Sequence, residues 1–277
     1  NFYLNISNFL NPKFHFNLSL FVENYYNSKN YRKTEKVLDD FDESDDLYYW
    51  YKIKIKTKII SQELGQEQAY NFINSKFKKI KKPSIKILYD MANLMKSFEK
   101  HQIAINYYNE LLTKINMNSN TYAEILFRRG GSYERLKKIN KSDEDLLKSL
   151  EINPDEAYVL NYLAYSWLER NYKIDTAMQM LEKAHKQEPD DAFIIDSIGW
   201  AHYLAGNYIK AEKLLKKALQ IMPDDPIVND HYGDILWRLG RKTEAQYYWN
   251  SVLNFDDTEK EMKDKVFIKI LKGLRKI

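Results

Sequence analysis

The sequence predicts an all-α protein, a right-handed α-solenoid of helix-turn-helix hairpins, and three observations lead to that prediction. Three alanines recur at intervals of 34 residues: Ala177, Ala211 and Ala245. A small residue precedes each of them by 12 or 13 residues: Ala164, Gly199 and Gly233. Four successive units close on a turn residue: Pro154, Pro189, Pro223 and Asp257. A fixed period of this length is typical of arrays in which each repeat is one supersecondary unit.

The residue types explain the period in physical terms. A glycine or alanine midway along the first helix lets the second helix of the hairpin approach closely. Gly206 and Gly240 come seven residues after Gly199 and Gly233, where the first helix must stop, and glycine accepts the left-handed conformation of a helix end. The prolines follow the second helix, which their ring cannot continue. We therefore expect tightly paired helices joined by short turns.

The period divides the chain into seven units within a single domain, 1–277. The predicted units are 15–45, 48–83, 85–117, 123–156, 157–190, 192–225 and 226–258. The first is the weakest, and the fourth has Ser142 and Ser149 in place of the expected alanines. An insertion of about four residues near 116–120 accounts for its longer spacing, because loops tolerate extra length cheaply.

The last stretch, 259–277, is predicted to be one more helix. Its apolar residues recur on one face with lysines opposite: Met262, Val266, Ile270, Leu274 and Ile277. We expect it to cap the last hairpin, because a repeat array needs a terminal element with a polar outer face. A helix lying on a membrane surface is the alternative.

The repeat resembles the tetratricopeptide repeat (TPR). The residues that carry the resemblance are Ile198, Gly199, Ala211, Leu215, Ala218 and Pro223 in one unit and Gly233, Ala245, Trp249 and Val252 in the next. The runs at 158–171, 194–208 and 229–241 are similar to the C-terminal repeats of envelope-associated TPR proteins of alphaproteobacteria. Those proteins are similar in turn to outer-membrane TPR lipoproteins that act as adaptors for carboxy-terminal processing proteases. The resemblance implies a periplasmic or outer-membrane-associated adaptor, and a cytoplasmic location stays open.

Composition and motifs narrow the function. The net charge is only +4, so the sequence does not favour nucleic acid, and the lysines of 76–82 are expected to face water. There is no cysteine, and no apolar window is long enough to span a membrane. No catalytic or cofactor motif is present, so we expect no enzyme, cofactor, metal or small-molecule substrate. His202 and His231 lie near three aspartates, but no third nitrogen ligand accompanies them. The chain begins at Asn1, and we expect an upstream segment, such as a signal sequence, to precede it.

The first helices of such an array line its concave side, and their inward positions form the candidate partner-binding groove. In three consecutive units these residues are Tyr158, Asn161, Tyr165, Phe193, Asp196, Trp200, Tyr203, Ile227, Asp230, Asp234 and Trp237. Aromatic rings beside carboxylates suit an extended peptide with basic or amide-rich side chains. Two alternatives stay open: the rings could fill the junctions between hairpins, and Asp196 and Asp230 could bond neighbouring helices.

The sequence therefore predicts a non-catalytic adaptor that binds a protein or peptide in its groove. Two other hypotheses remain. The chain could be the recognition arm of a larger enzyme, or it could bind RNA or a membrane surface through its lysine-rich segments.

Overall fold

The computed structural model describes residues 6–7, 9–11, 14–256 and 258–274. Asp257 and Ile277, which the sequence placed at the end of the seventh unit and on the terminal helix, lie outside these residues. After residue 14 the described chain forms fifteen α-helices and no strand. They are α1 (His15–Asn27), α2 (Tyr31–Leu38), α3 (Asp46–Leu64), α4 (Gln66–Phe77), α5 (Ile85–Ser97), α6 (His101–Leu112), α7 (Asn120–Arg135), α8 (Ile139–Ile152), α9 (Ala157–Glu169), α10 (Ile174–Gln187), α11 (Ala192–Leu204), α12 (Tyr208–Ile221), α13 (Pro226–Arg238), α14 (Lys242–Asn254) and α15 (Lys260–Lys272). The predicted all-α hairpin fold is confirmed.

The chain forms two compact units, an N-terminal unit (Asn1–Ser142) and a C-terminal unit (Asp143–Ile277). In the N-terminal unit, the largest core cluster joins α3 to α7 through fully buried side chains such as Trp50, Met91 and Tyr108. A smaller cluster around Val22 and Leu38 holds α1 and α2 together. None of the described helices has the length and apolar character needed to cross a membrane.

Three hairpins make up most of the C-terminal unit: α9 with α10, α11 with α12, and α13 with α14. Turns of three or four residues join the helices of each hairpin. The first helices also contact one another directly, α9 with α11 and α11 with α13. A lysine on the second helix ties each of two hairpins back to the preceding loop: Lys183 donates to the carbonyl of Pro154 at 2.7 Å, and Lys217 to that of Pro189 at 2.9 Å.

The predicted close approach within hairpins is confirmed. A Cβ atom added to Gly233 would lie 2.5 Å from the indole ring of Trp249, and one added to Gly199 would overlap the side chain of Leu215. Trp249 and Leu215 are fully buried in the core of the unit. The two glycines therefore leave the space that these large side chains of the second helix fill.

The turns follow the glycine prediction at Gly206 and Gly240, which have φ of +78° and +82°. Four of the five earlier hairpins have a non-glycine residue with positive φ at the turn: Lys29, Glu99, Lys137 and Asn171. Such residues cost about 1–2 kcal/mol more than glycine, so glycine is favoured at these turns but not required.

Helix α15 caps the array as predicted. Val266 is fully buried, and Met262, Ile270 and Leu274 pack against the same core as α14. The outer face of α15 differs from the prediction, which placed lysines there, because it also carries apolar side chains. Phe267, Ile268 and Leu271 are exposed there between the lysines.

Gly233→Ala is expected to destabilise the C-terminal unit by about 1–3 kcal/mol, because the new methyl group meets the rigid, buried ring of Trp249. Gly240→Asn is the control. Gly240 has open space around it, and asparagine tolerates the left-handed conformation, so the cost should stay below about 1 kcal/mol. Urea unfolding followed by tryptophan fluorescence measures the difference, since four of the five tryptophans lie in this unit. Equal losses in the two variants would contradict the packing argument.

Candidate functional site

All eleven side chains of the predicted groove lie on α9, α11 and α13, the first helices of the C-terminal unit. The structure divides them by exposure. Tyr158, Phe193 and Ile227 are 48%, 60% and 48% exposed. Asp196, Tyr203 and Asp234 are buried, and the remaining five are partly buried: Asn161, Tyr165, Trp200, Asp230 and Trp237.

The three exposed residues form a repeating feature that we call the apolar ladder: Tyr158, Phe193 and Ile227. Each is the second residue of its helix. A carboxylate residue stands two positions before each rung, namely Glu156, Asp191 and Asp225. Asp191 and Asp225 cap their helices by accepting from backbone N–H groups. The ladder is therefore an exposed apolar line bordered by acidic caps.

Trp200 lies in an aromatic stack beside the ladder. Its ring is parallel to those of Tyr203 and His231, with centroid distances of 4.5 and 4.0 Å. Two rings cannot lie side by side on one face at these distances, so they cover opposite faces of the indole. Trp200 Nε1 also donates to Glu169 at 2.8 Å. Only the edge of Trp200 is left for a partner.

Asp196 bonds the neighbouring first helix rather than facing solvent. It accepts a hydrogen bond from Nδ1 of His231 at 2.9 Å, and both side chains are buried. Burial works against the charged imidazole, but the carboxylate of Asp196 and its hydrogen bond outweigh that effect. The pKa of His231 is therefore raised above its ordinary value. The pair joins α11 to α13.

Asp230 and Asp234 share a cation that the sequence analysis missed. Lys269 of α15 donates to both carboxylates at 2.8 Å, and Trp249 Nε1 donates to Asp234 at 3.0 Å. The pKa of Asp234 is raised to about 6, because burial and the nearby Asp230 outweigh the lowering effect of Lys269. The only sequence signal for Lys269 was its place among the lysines of the terminal helix, which we expected to face water.

Trp237 is a packing residue as well as a neighbour of the groove. The ring centroid of Trp237 lies 5.3 Å from that of Trp249. Nζ of Lys242 lies 5.2 Å from the Trp237 centroid. The end of α15 covers it, because a Cβ atom on Gly273 would overlap its ring. For Trp237 and the buried Tyr203, the alternative that aromatic rings fill junctions fits the structure.

A cavity of about 380 Å³ opens beside Ile227, the last rung of the apolar ladder. Five of the predicted residues line it: Tyr165, Trp200, Ile227, Asp230 and Asp234. The remaining lining residues are Glu169, His231, Glu259, Glu261, Met262, Lys265 and Lys269. Five carboxylates thus face two lysines, of which Lys265 pairs with Glu261 and Lys269 with the two aspartates. The cavity therefore attracts a cationic side chain and repels an anionic one.

The two histidines that the sequence singled out have different surroundings. His231 contacts Asp196 and Trp200, whereas His202 is buried with neither ring nitrogen hydrogen-bonded. Burial lowers the pKa of His202, with Lys210 of α12 and Glu182 of α10 as its charged neighbours. The described residues contain no group of three metal-ligating side chains.

Two segments of the chain match family models of the tetratricopeptide repeat, residues 123–156 and 192–225. The second segment contains the α11–α12 hairpin, which carries Phe193, Asp196 and Trp200. The chain therefore contains tetratricopeptide repeats, as the sequence predicted. Proteins with these repeats generally mediate protein–protein interactions.

A curated relative is the TPR repeat-containing protein PA4667 of Pseudomonas aeruginosa, 35% identical over 110 residues. The match covers 40% of this chain and 18% of the relative, so the chain spans about a fifth of that protein's length. Three solved structures share the fold. PilW, a type IV pilus biogenesis factor, has a TM-score of 0.58 and 20% identity, over 68% of this chain and 85% of that one. TTC0263, a TPR protein of Thermus thermophilus, has a TM-score of 0.56 and 18% identity, over 68% and 100% of the two chains, and a tetratricopeptide repeat protein of Parabacteroides merdae has a TM-score of 0.58 and 16% identity, over 80% and 87%. At these identities they show the fold alone. The finer resemblance to envelope adaptors stays a prediction.

Lys269→Met is expected to destabilise the C-terminal unit by about 2–4 kcal/mol, because it leaves two mostly buried carboxylates without their cation. Lys265→Met is the control. It removes an exposed pair with Glu261 and should cost less than about 0.5 kcal/mol. Adding Asp234→Asn to Lys269→Met should restore part of the loss. Urea unfolding checks all three variants, and similar losses for the two lysines would show that the aspartates do not need Lys269.

His231→Gln should reduce stability more at pH 6 than at pH 8.5. The native pKa of His231 is raised, so its contribution is fully present below the unfolded value of about 6.5 and is lost as pH rises through the native pKa. His185→Gln is the opposite case, because burial lowers the pKa of His185 and the native protein loses stability as that side chain becomes protonated. Thermal melts of both variants across this pH range test the signs. A His231→Gln gap that does not narrow with rising pH would contradict the charged pair.

Proposed function

We propose that the C-terminal unit is a non-catalytic adaptor that binds an extended segment of a partner protein along the apolar ladder. One observation carries this proposal: three large apolar side chains are exposed at equivalent positions, beside a cavity with an excess of carboxylates. Burying one such side chain contributes about 1.5–3 kcal/mol. Three rungs therefore contribute at most about 4.5–9 kcal/mol towards the cost of association and of ordering the segment, which is at least about 4 kcal/mol.

The charges of the cavity support a partner with a basic side chain. Asp230 and Asp234 already share Lys269, so selection falls mainly on Glu169 and Glu259, which line the cavity and are exposed. A free C-terminal carboxylate would meet an excess of negative charge there. This differs from a groove built of lysine, arginine and asparagine to hold a chain terminus.

We further propose a bacterial cell-envelope setting for this adaptor. The support is the similarity of 158–171, 194–208 and 229–241 to the repeats of envelope-associated TPR proteins. Fractionation of native cells with an antibody against the chain tests it, and recovery only with the cytoplasmic fraction would overturn this setting while leaving the binding surface unaffected.

The binding proposal is tested by selecting peptides from a random phage-displayed library on the full chain and measuring the enriched peptides by fluorescence anisotropy. Phe193→Ser should weaken their binding by about tenfold, because it removes the most exposed rung of the ladder. Ile209→Ser is the matched control. Ile209 is also the second residue of its helix and is 72% exposed, but it lies on α12, a second helix.

Ile209→Ser should leave the affinity unchanged, and both variants should keep the wild-type melting temperature. Failure to enrich any peptide, or equal effects of the two substitutions, would exclude the ladder as the binding surface.

A further inference from the structure

The spacing of the apolar ladder carries information about the partner. The rungs occupy the same position on α9, α11 and α13, and these helices contact one another in sequence. Packed helices lie about 8–10 Å apart. Successive rungs should therefore repeat at about that distance. Tyr158 Oη donates to Asp191 at 3.4 Å, so the first rung reaches the cap that precedes the second.

Regular backbone conformations differ in how well they match this repeat. A β-strand returns a side chain to the same face every second residue, at about 6.7 Å, or every fourth, at about 13 Å. An α-helix matches at every seventh residue, about 10.5 Å. However, its binding face needs further apolar contacts at intermediate positions, whereas the residues that border the ladder are acidic. Polyproline II has three residues per turn and a rise of about 3.1 Å, so it presents the same face every 9.3 Å or so.

The acidic residues that border the ladder determine which charges a ligand can carry. Glu156, Asp191 and Asp225 lie two residues before the three rungs, so acidic side chains between the apolar positions of a ligand would be repelled. Beyond Ile227 the segment reaches the cavity, where carboxylates outnumber lysines. Apolar contacts repeat along the ladder, and the attraction for a cation is concentrated at the Ile227 end.

We infer that the partner segment is a polyproline II stretch with an apolar residue at every third position, no acidic residues between them, and a lysine or arginine just beyond the residue on Ile227. This inference rests on the proposed function, because it specifies what the ladder binds. Polyproline II suits such a surface, since its backbone needs no hydrogen-bond partners from the ladder and its order is largely preformed.

The inference is tested with fluorescein-labelled synthetic peptides and the full chain, by fluorescence anisotropy. The test peptides carry leucine at every third position on a proline scaffold, with arginine at one end or the other, so that both chain directions are sampled. The comparison peptides contain the same three leucines and arginine, placed at every second position or at helical spacing on an alanine scaffold. Circular dichroism confirms the conformation of each free peptide.

One direction of the test peptide should bind at least about tenfold more tightly than either comparison peptide, because only its spacing places all three leucines on rungs. Replacing its arginine with glutamate should weaken binding by a further tenfold or so. Glu259→Lys in the protein should reduce the preference for arginine. The preference for the test spacing should shrink in Phe193→Ser, where one rung is lost, and persist in Ile209→Ser, while the effect of arginine should persist in both variants.

The outcomes separate this inference from the proposed function. If a comparison peptide binds as tightly as the test peptides and its binding is lost in Phe193→Ser, the ladder binds partners but the polyproline II inference is wrong. If no test peptide binds while library peptides still depend on Phe193, the inference is likewise wrong. If neither library nor synthetic peptides respond to Phe193→Ser, both proposals fail.

Discussion

The close contact between the two helices of each hairpin is the constraint on which the C-terminal unit depends. Gly199 and Gly233 have no side chain where Leu215 and Trp249 fill the core. This contact fixes the rotation of the first helix, and the rotation decides which of its residues point outward. Because α11 and α13 are held in the same way, their second residues are exposed at equivalent places. The apolar ladder is therefore a consequence of core packing repeated at a fixed period.

The polar residues of the groove also recur at one position in each first helix. Asn161, Asp196 and Asp230 occupy the same position on successive first helices. Asp196 bonds His231 of the following first helix, and Asp230 bonds Lys269 of the cap. Buried carboxylates need such partners, because an unpaired charge in the interior costs several kcal/mol. These aspartates thus join neighbouring helices, and the proposed recognition of a partner falls to the exposed rungs and the cavity rim.

Local rules made much of the fold predictable. Small residues at a period of 34, glycines at two helix ends and an apolar face on the last helix each follow from steric and packing rules that act over a few residues. The pairing of Lys269 with Asp230 and Asp234 could not be predicted from such rules, because it depends on how α15 is rotated against α13. Asn171 and Lys137 were also missed, since a left-handed turn costs a non-glycine residue too little to exclude it. Asp196 is buried because His231 of the next first helix pairs with it, and the sequence pattern within one repeat does not reveal a partner on another helix.

The cap has a second role because it is not a repeat. A further hairpin would have placed another first helix beside α13, as α11 lies beside α9. Helix α15 instead supplies Lys269, which neutralises the two aspartates, while Glu259 and Glu261 near its start add carboxylates to the cavity. The end of the ladder is therefore chemically different from its middle. An array of identical repeats would bind a periodic segment in several registers, and in the proposed complex the charged end would select a single one.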